Sequence, residues 1–220
     1  MRTIGVGVAL ALLASGAGAQ EAQKMWSFDG DKPGVIAKGF VSEAGDWNVI
    51  ADETAPSKPN VLAQTAKNSS ATFNISLISG TDYKDLRLSV MMKPIAGSED
   101  QGGGLVWRAK DAKNYYIARW NPLEDNFRVY KVVNGRRSQL DGADIKAPAA
   151  WHVLEVEMVG SHIECSLDGK KYLDVKDSTF PEGGKIGLWT KSDAQTHFDD
   201  LKAEPAGVGK GGAEKDEDND

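Results

Sequence analysis

Residues 151–175 read WHVLEVEMVGSHIECSLDGKKYLDV, and their spacing decides the fold. His152, Leu154, Val156 and Met158 alternate with Val153, Glu155 and Glu157. Ile163, Cys165 and Leu167 alternate with His162, Glu164 and Ser166. A period of two turns one side of each segment into a core and the other outward, which is the pattern of a half-buried strand. Asp168-Gly169 follows, a dipeptide suited to the positive φ angles of a two-residue hairpin turn. A strand, a turn, a strand, a turn and a third strand are therefore predicted within one short stretch.

The same alternation extends outward. Leu86, Leu88, Val90 and Met92 alternate with Arg87, Ser89, Met91 and Lys93. Phe127, Val129 and Val133 alternate with Arg128, Tyr130 and Val132, and Ile186 and Leu188 alternate with Gly187 and Trp189. Asn134-Gly135 separates VYKVV from RRSQL, another hairpin signal, and Gly102-Gly103-Gly104 opens the strand LVWRA. Pro94, Pro122, Pro148 and Pro181 are read as lying between strands, where they spare the ladders. No sustained helical period is present. Short helices are expected at most over residues 109–113 and 192–195. About ten to thirteen strands without a linker predict a single all-β domain over residues 24–204, a two-sheet antiparallel sandwich, with a closed lipocalin-like barrel as the alternative.

Composition agrees. The 220 residues are 40% hydrophobic and 26% charged, and 24 are glycine, a turn-rich soluble composition. One cysteine excludes a disulfide framework and a cysteine-based zinc site, and three histidines argue against a multi-histidine metal centre. Cys165, in phase with Ile163 and Leu167, is read as a small core residue. A net charge of −6 argues against nucleic acid as a partner, because that partner demands a basic footprint.

The ends have a different character. Arg2, the apolar run Ile4–Leu13 and Ala17-Gly18-Ala19 read as a secretory signal peptide over residues 1–19, so an exported, periplasmic or secreted bacterial protein with no membrane span in its mature chain is expected. Residues 205–220, ending AEKDEDND, read as a disordered acidic tail.

Three stretches in the second half carry a family resemblance: GGGLVWRAKDAKNYYIARWNPLEDNFRVYKVVNGRRSQL, WHVLEVEMVGSHIECSLDGKKYLDV and GGKIGLWTKSDAQTHFDDLKAE. In this order they resemble the concanavalin A-like jelly-roll domains of the laminin-G and glucanase type, and most closely the bacterial exported 3-keto-disaccharide hydrolase-like domains. The resemblance covers residues 101–204, and WSFDGDKPG and GDWNVIADETAPSKPNVLAQ fit the opening of such domains more loosely. It implies a jelly roll with a ligand groove on a concave sheet. Jelly rolls host lectins, hydrolases and adhesion modules alike, so activity must be argued from the site.

Sugars are held by flat aromatic surfaces and fixed polar groups. Trp120, Tyr130 and Trp189 are candidate platforms; Arg108, Arg119, Arg128, Asn121, Glu124 and Lys191 are candidate hydrogen-bonding groups. Arg128 and Tyr130 share a face, as do Trp189 and Lys191, in each case the face opposite the apolar set. The segment Arg119–Asn126 is the densest polar and aromatic cluster, and a site is expected to touch it. Trp47, Trp107 and Trp151 are assigned to the core.

A glycosidase of the usual kind requires a carboxyl pair about 5–5.5 Å or about 6.5–9.5 Å apart. Glu155 and Glu157 are the nearest imitation of the glucanase acid motif, and no third acid completes it. They are expected to face solvent. Cleavage of a 3-keto-glycoside by elimination needs a base and an electrophile at the ketone. Glu124, His152 and His197 are the candidate bases, with His152 expected as a hydrogen-bonded core residue and His197 nearer the surface. No catalytic role is assigned. From the resemblance, Asp199 in FDDL, with Asp29 in SFDGD, is a candidate ligand for a structural Ca2+ ion. The sequons at Asn68 and Asn74 are read as accidental.

Three functions follow as expectations. The first is a carbohydrate-binding module holding a glycan or oligosaccharide in the groove. The second is a 3-keto-glycoside hydrolase or lyase. The third is an envelope interaction protein with no sugar ligand.

Overall fold

The alternation that marks residues 151–175 is realised in the computed structural model, which describes residues 23–207. His152–Val159 and His162–Leu167 pair as antiparallel strands, with Leu154, Val156, Met158, Ile163 and Cys165 buried on one side. Asn134 and Asp168 adopt φ of 51°, followed by Gly135 and Gly169 at 78° and 74°. These values are those of the tight hairpins expected from Asn-Gly and Asp-Gly.

Fifteen strands and no helix are found among the described residues. In chain order they are β1 (Lys24–Trp26), β2 (Phe40–Ala44), β3 (Trp47–Ala51), β4 (Asn60–Gln64), β5 (Phe73–Ile78), β6 (Leu86–Ala96), β7 (Gly103–Asp111) and β8 (Asn114–Asn121). They continue with β9 (Asn126–Val133), β10 (Arg136–Asp144), β11 (His152–Val159), β12 (His162–Leu167), β13 (Lys170–Lys176), β14 (Lys185–Lys191) and β15 (Gln195–Pro205). The first sheet runs β13-β12-β11-β6-β15-β4-β3, with β1 paired to β15; the second runs β10-β9-β8-β7-β14-β5-β2. Every pairing between these strands is antiparallel, and the two sheets form a jelly-roll sandwich.

The core fills the space between the sheets. Leu88, Val90, Met92, Leu154, Val156 and Phe198 come from the first sheet, and Leu105, Trp107, Tyr116, Trp120, Phe127 and Leu188 from the second. Trp107 stacks on Tyr116 at 5.6 Å, and its Nε1–H points to Met158 Sδ at 3.1 Å. Cys165 is fully buried, as its phase predicts. His152 is a bonded core residue, 2.6 Å from Asp168 Oδ2 and 2.9 Å from the Pro148 carbonyl oxygen.

Four local expectations are corrected. Residues 109–113 are the tip of the β7–β8 hairpin, and residues 192–195 the turn into β15, so neither window is helical. Pro94 lies inside β6 opposite Thr196, next to a register shift in β15 where the ladder is already irregular. Trp47 and Trp107 are core residues, but Trp151 is only half-buried and donates to Thr54 Oγ1 outside the core. The signal-peptide segment and most of the acidic tail lie outside the described residues.

Candidate functional site

A sandwich normally turns the second face of each sheet to water, but the outer face of the second sheet is buried here as well. Val106, Tyr115, Ile117 and Trp189 are fully shielded, and Tyr130 is 4% exposed. They form a separate apolar cluster with Ile75, Leu77 and Val132, against which Phe73 packs. This two-sided burial explains why β7, β8 and β14 read as nearly unbroken apolar runs.

Cross-strand register assembles a row on this face. Arg128 of β9 faces Arg119 of β8, Arg119 faces Gly104 of β7, and Gly104 faces Trp189 of β14. Gly104 is required by close approach: a Cβ there would stand 1.8 Å from the Ala118 carbonyl oxygen. It leaves the gap between Arg119 and Trp189 free of a side chain.

Beside this row lies a polar cluster. Asp100, 1% exposed, accepts from Asn121 Nδ2 at 2.8 Å and from Lys191 Nζ at 2.9 Å, and Arg119 Nη2 is 3.9 Å from it. Arg119, also 1% exposed, donates through Nη2 to Glu124. Burial opposes ionisation of Glu124, but hydrogen bonding from Asn126 and the charge of Arg119 outweigh it and hold its carboxyl below the ordinary range. Two turns position these groups. Asn121 Oδ1 accepts from the N–H groups of Leu123 and Glu124, fixing the β8–β9 turn. The Asp193 carboxylate accepts from the N–H groups of Ser98, Glu99 and Asp100 at 2.7–3.0 Å, fixing the loop that delivers Asp100.

On the same face, Arg137 of β10 lies over three rings. Its guanidinium carbon is 4.3 Å from the Tyr130 centroid, 5.5 Å from Phe73 and 5.8 Å from Trp189, within cation–π range. Burial lowers its pKa. The Trp189 indole donates to Tyr115 Oη at 3.1 Å, and burial pushes that phenol's pKa up.

Arg119, Asn121, Glu124, Arg128, Tyr130, Trp189 and Lys191 of the expected set therefore share one neighbourhood. Tyr130 and Trp189 do point away from the core, but Arg137 covers them, so neither ring offers an open platform. Three expected residues fall elsewhere. Trp120 belongs to the inner core, its ring 4.6 Å from that of His152. Arg108 is buried further along β7, four residues from Gly104, where it donates to the carbonyls of Lys84, Phe180 and Gly160 and to Asp85, joining three loops. His197 sits on the first sheet, its Nδ1 2.7 Å from Asp52 Oδ2. Asp100, Arg137, Tyr115 and Phe73 were not among the expected residues, and Asn126 was expected only as part of the segment Arg119–Asn126.

The acids expected to hold calcium face N–H and O–H donors. Asp199 accepts from the Ser57 amide and hydroxyl and from the Asp200 amide, and Asp29 accepts from the Asn60 amide. Neither is gathered with two further acid or histidine ligands among the described residues. The one such grouping, His162, Glu164 and Asp174, is threaded by the Lys171 ammonium, 2.7 and 2.8 Å from the two carboxylates. Its residues lie on β12 and β13, away from the polar cluster. Glu155 and Glu157 point out from the first sheet, and Glu157 pairs with Arg87.

Residues 25–204, nearly all of the described domain, match one family throughout. The chain belongs to the 3-keto-alpha-glucoside-1,2-lyase-like domains. This lyase-like domain is also 28% identical over 154 residues to a levanase of Bacillus subtilis (strain 168), a match that takes in 68% of the chain but only 21% of the levanase. Among solved structures it resembles the carbohydrate-binding module CBM66 from B. subtilis, with a TM-score of 0.65, 23% identity, and coverage of 76% of this chain and 95% of the module. It also resembles a B. subtilis protein of unknown function with a galectin-like fold, with a TM-score of 0.58, 11% identity, and coverage of 84% and 97%. At these identities the structural likenesses establish the fold. Among the described residues, no helix is long and apolar enough to cross a membrane.

Proposed function

We propose that this lyase-like domain is an exported carbohydrate-binding module that holds a sugar on the outer face of its second sheet, at the Asp100–Arg119–Glu124–Lys191 cluster. The observation that carries this reading is Asp100. A carboxylate this deeply buried is costly unless it is paired, and it is shared by an ammonium, an amide and a nearby guanidinium. Carboxylates and cations held side by side present acceptors and donors at fixed positions, which is what a ring of sugar hydroxyls requires. The similarity to a carbohydrate-binding module and to a segment of a levanase supports the assignment.

The family description favours a second reading, cleavage of a 3-keto-glycoside. The cluster argues for binding instead. A general base works best with a pKa near the operating pH, whereas Glu124 is held below the ordinary carboxylate range. All three histidines lie elsewhere: His152 in the core, and His162 and His197 on the first sheet.

The test is saturation-transfer NMR of the protein with a panel of neutral and acidic oligosaccharides and 3-keto-disaccharides. Saturation of sugar protons without new product signals, lost in Lys191→Met, is the expected result. Product signals from a keto-sugar, absent with boiled protein, would establish the enzyme and overturn the binding-only reading.

A further inference from the structure

The charges on this face do not balance. Asp100 and Glu124 are the carboxylates in contact with its cations, and both are engaged, by Lys191 and Asn121 and by Arg119 and Asn126. Two further arginines share the face, and among the described residues neither Arg128 nor Arg137 has a carboxylate within 4 Å. Donors are in surplus as well. Arg119 Nε, Arg137 Nη1 and the Tyr130 hydroxyl are buried without a hydrogen-bond partner, and Arg119 and Tyr130 are 1% and 4% exposed. Such groups are normally satisfied in a finished structure, and a buried donor left unpaired is destabilising.

The orphaned groups belong to adjacent strands. Tyr130 is one step along β9 from Arg128 on the same face, and Arg128 is directly opposite Arg119. Arg137 reaches Tyr130 from the edge strand. A neutral hydroxyl could accept from one or two of these donors but would leave the charge uncompensated. A carboxylate accepts from several donors at once and neutralises a guanidinium, which is the pairing an arginine fork is shaped for.

Resting on the carbohydrate-binding reading, we propose that the ligand is an acidic glycan, whose terminal sugar carries a carboxylate received by Arg137 and Arg128 with the Tyr130 hydroxyl and Arg119 Nε beside it. The three rings beneath Arg137 then serve to hold its guanidinium in place. Specificity comes from charge, and the aromatic surface does not stack on the sugar.

Isothermal titration of the protein with glucuronate- and galacturonate-terminated disaccharides, against their glucose and galactose counterparts at low and high salt, tests this. The acidic sugars are expected to bind at least tenfold more tightly, with the advantage shrinking as salt rises. Arg137→Gln should abolish the preference and Arg137→Lys should retain part of it. Arg128→Gln provides a second variant should Arg137→Gln fold poorly. Equal or tighter binding of the neutral sugars would overturn the acidic-ligand proposal and leave the carbohydrate-binding function standing. Failure of both classes to bind would remove both.

Discussion

Asp100 and Glu124 are carboxylates in one cluster, but their surroundings differ. Asp100 is sealed among Asn121, Lys191 and Arg119, so its removal leaves cations facing one another without a counter-charge. Asp100→Ala is expected to cost about 3 kcal/mol, the scale for breaking a buried pair, measurable by urea unfolding. Glu124 is more exposed, so Glu124→Gln should leave stability within about 1 kcal/mol while weakening sugar binding roughly tenfold, the two separable by melting and titration. Elsewhere, burial works against ionisation of Asp52 and Asp177, but hydrogen bonding outweighs it: Thr54 and His197 act on Asp52, and Lys131, Thr179 and Tyr116 on Asp177. Each is held at about 2 against an ordinary 3.8. Depressed values stabilise the fold above the unfolded pKa, and that contribution fades as pH falls through the folded one. Tm should therefore hold down to about pH 4 and fall between pH 4 and 2, with Asp177→Asn removing part of the fall. Residue-scale legibility depended on phase. Lys191 and Trp189 were placed on the outer face because Ile186 and Leu188 defined an inner one. In β8 both faces are apolar, so no phase cue showed that Trp120 points inward with Ala118. Asp100 gave no local signal, since its position is set by Asp193, 93 residues away.

The hairpin at Asn134-Gly135 sets where Arg137 goes. A two-residue turn fixes Arg136 opposite Val133 and Arg137 opposite Val132, on the same face as Tyr130. The dipeptide and the Arg128–Tyr130 face were both legible in the sequence, and together they place Arg137 over the aromatic cluster; that step needs only the register the turn imposes. Gly135 sits at φ 78°, so Gly135→Val should strain the turn and destabilise the domain by about 1 kcal/mol or more. Hydrogen exchange should rise first in β10, an edge strand paired only to β9. The elements that sequence reasoning missed are short or irregular. β1 has three residues, and the window at 109–113 carries charged, helix-compatible residues that the hairpin nevertheless bends around. Pro94 is tolerated inside β6 because β15 shifts register beside it.

At the scale of the whole molecule, burial on both sides of the second sheet separates this domain from a sandwich with one wet face. Period-two alternation located the core between the sheets, but alternation alone does not show that an outer face is closed over, because apolar residues there look like a strand buried by a partner. Cys165 reports on the integrity of the inner core. It is the only cysteine, fully sealed, and burial pushes its thiol pKa well above normal. A thiol reagent should be nearly inert toward native protein and react with one equivalent after unfolding. Leu188→Ala, which opens the same core from the second sheet, should cost about 2–5 kcal/mol and speed that reaction. Sugar binding on the outer face of the second sheet is open to a direct check by amide chemical-shift mapping. Labelled protein would be titrated with the tightest-binding oligosaccharide. Shifts concentrated at residues 99–104, 119–130, 137 and 189–191, with the outer face of β11 and β12 silent, are the predicted result. Shifts confined to the first sheet, or to the β1 side of the sandwich, would rule out a sugar site on the outer face of the second sheet.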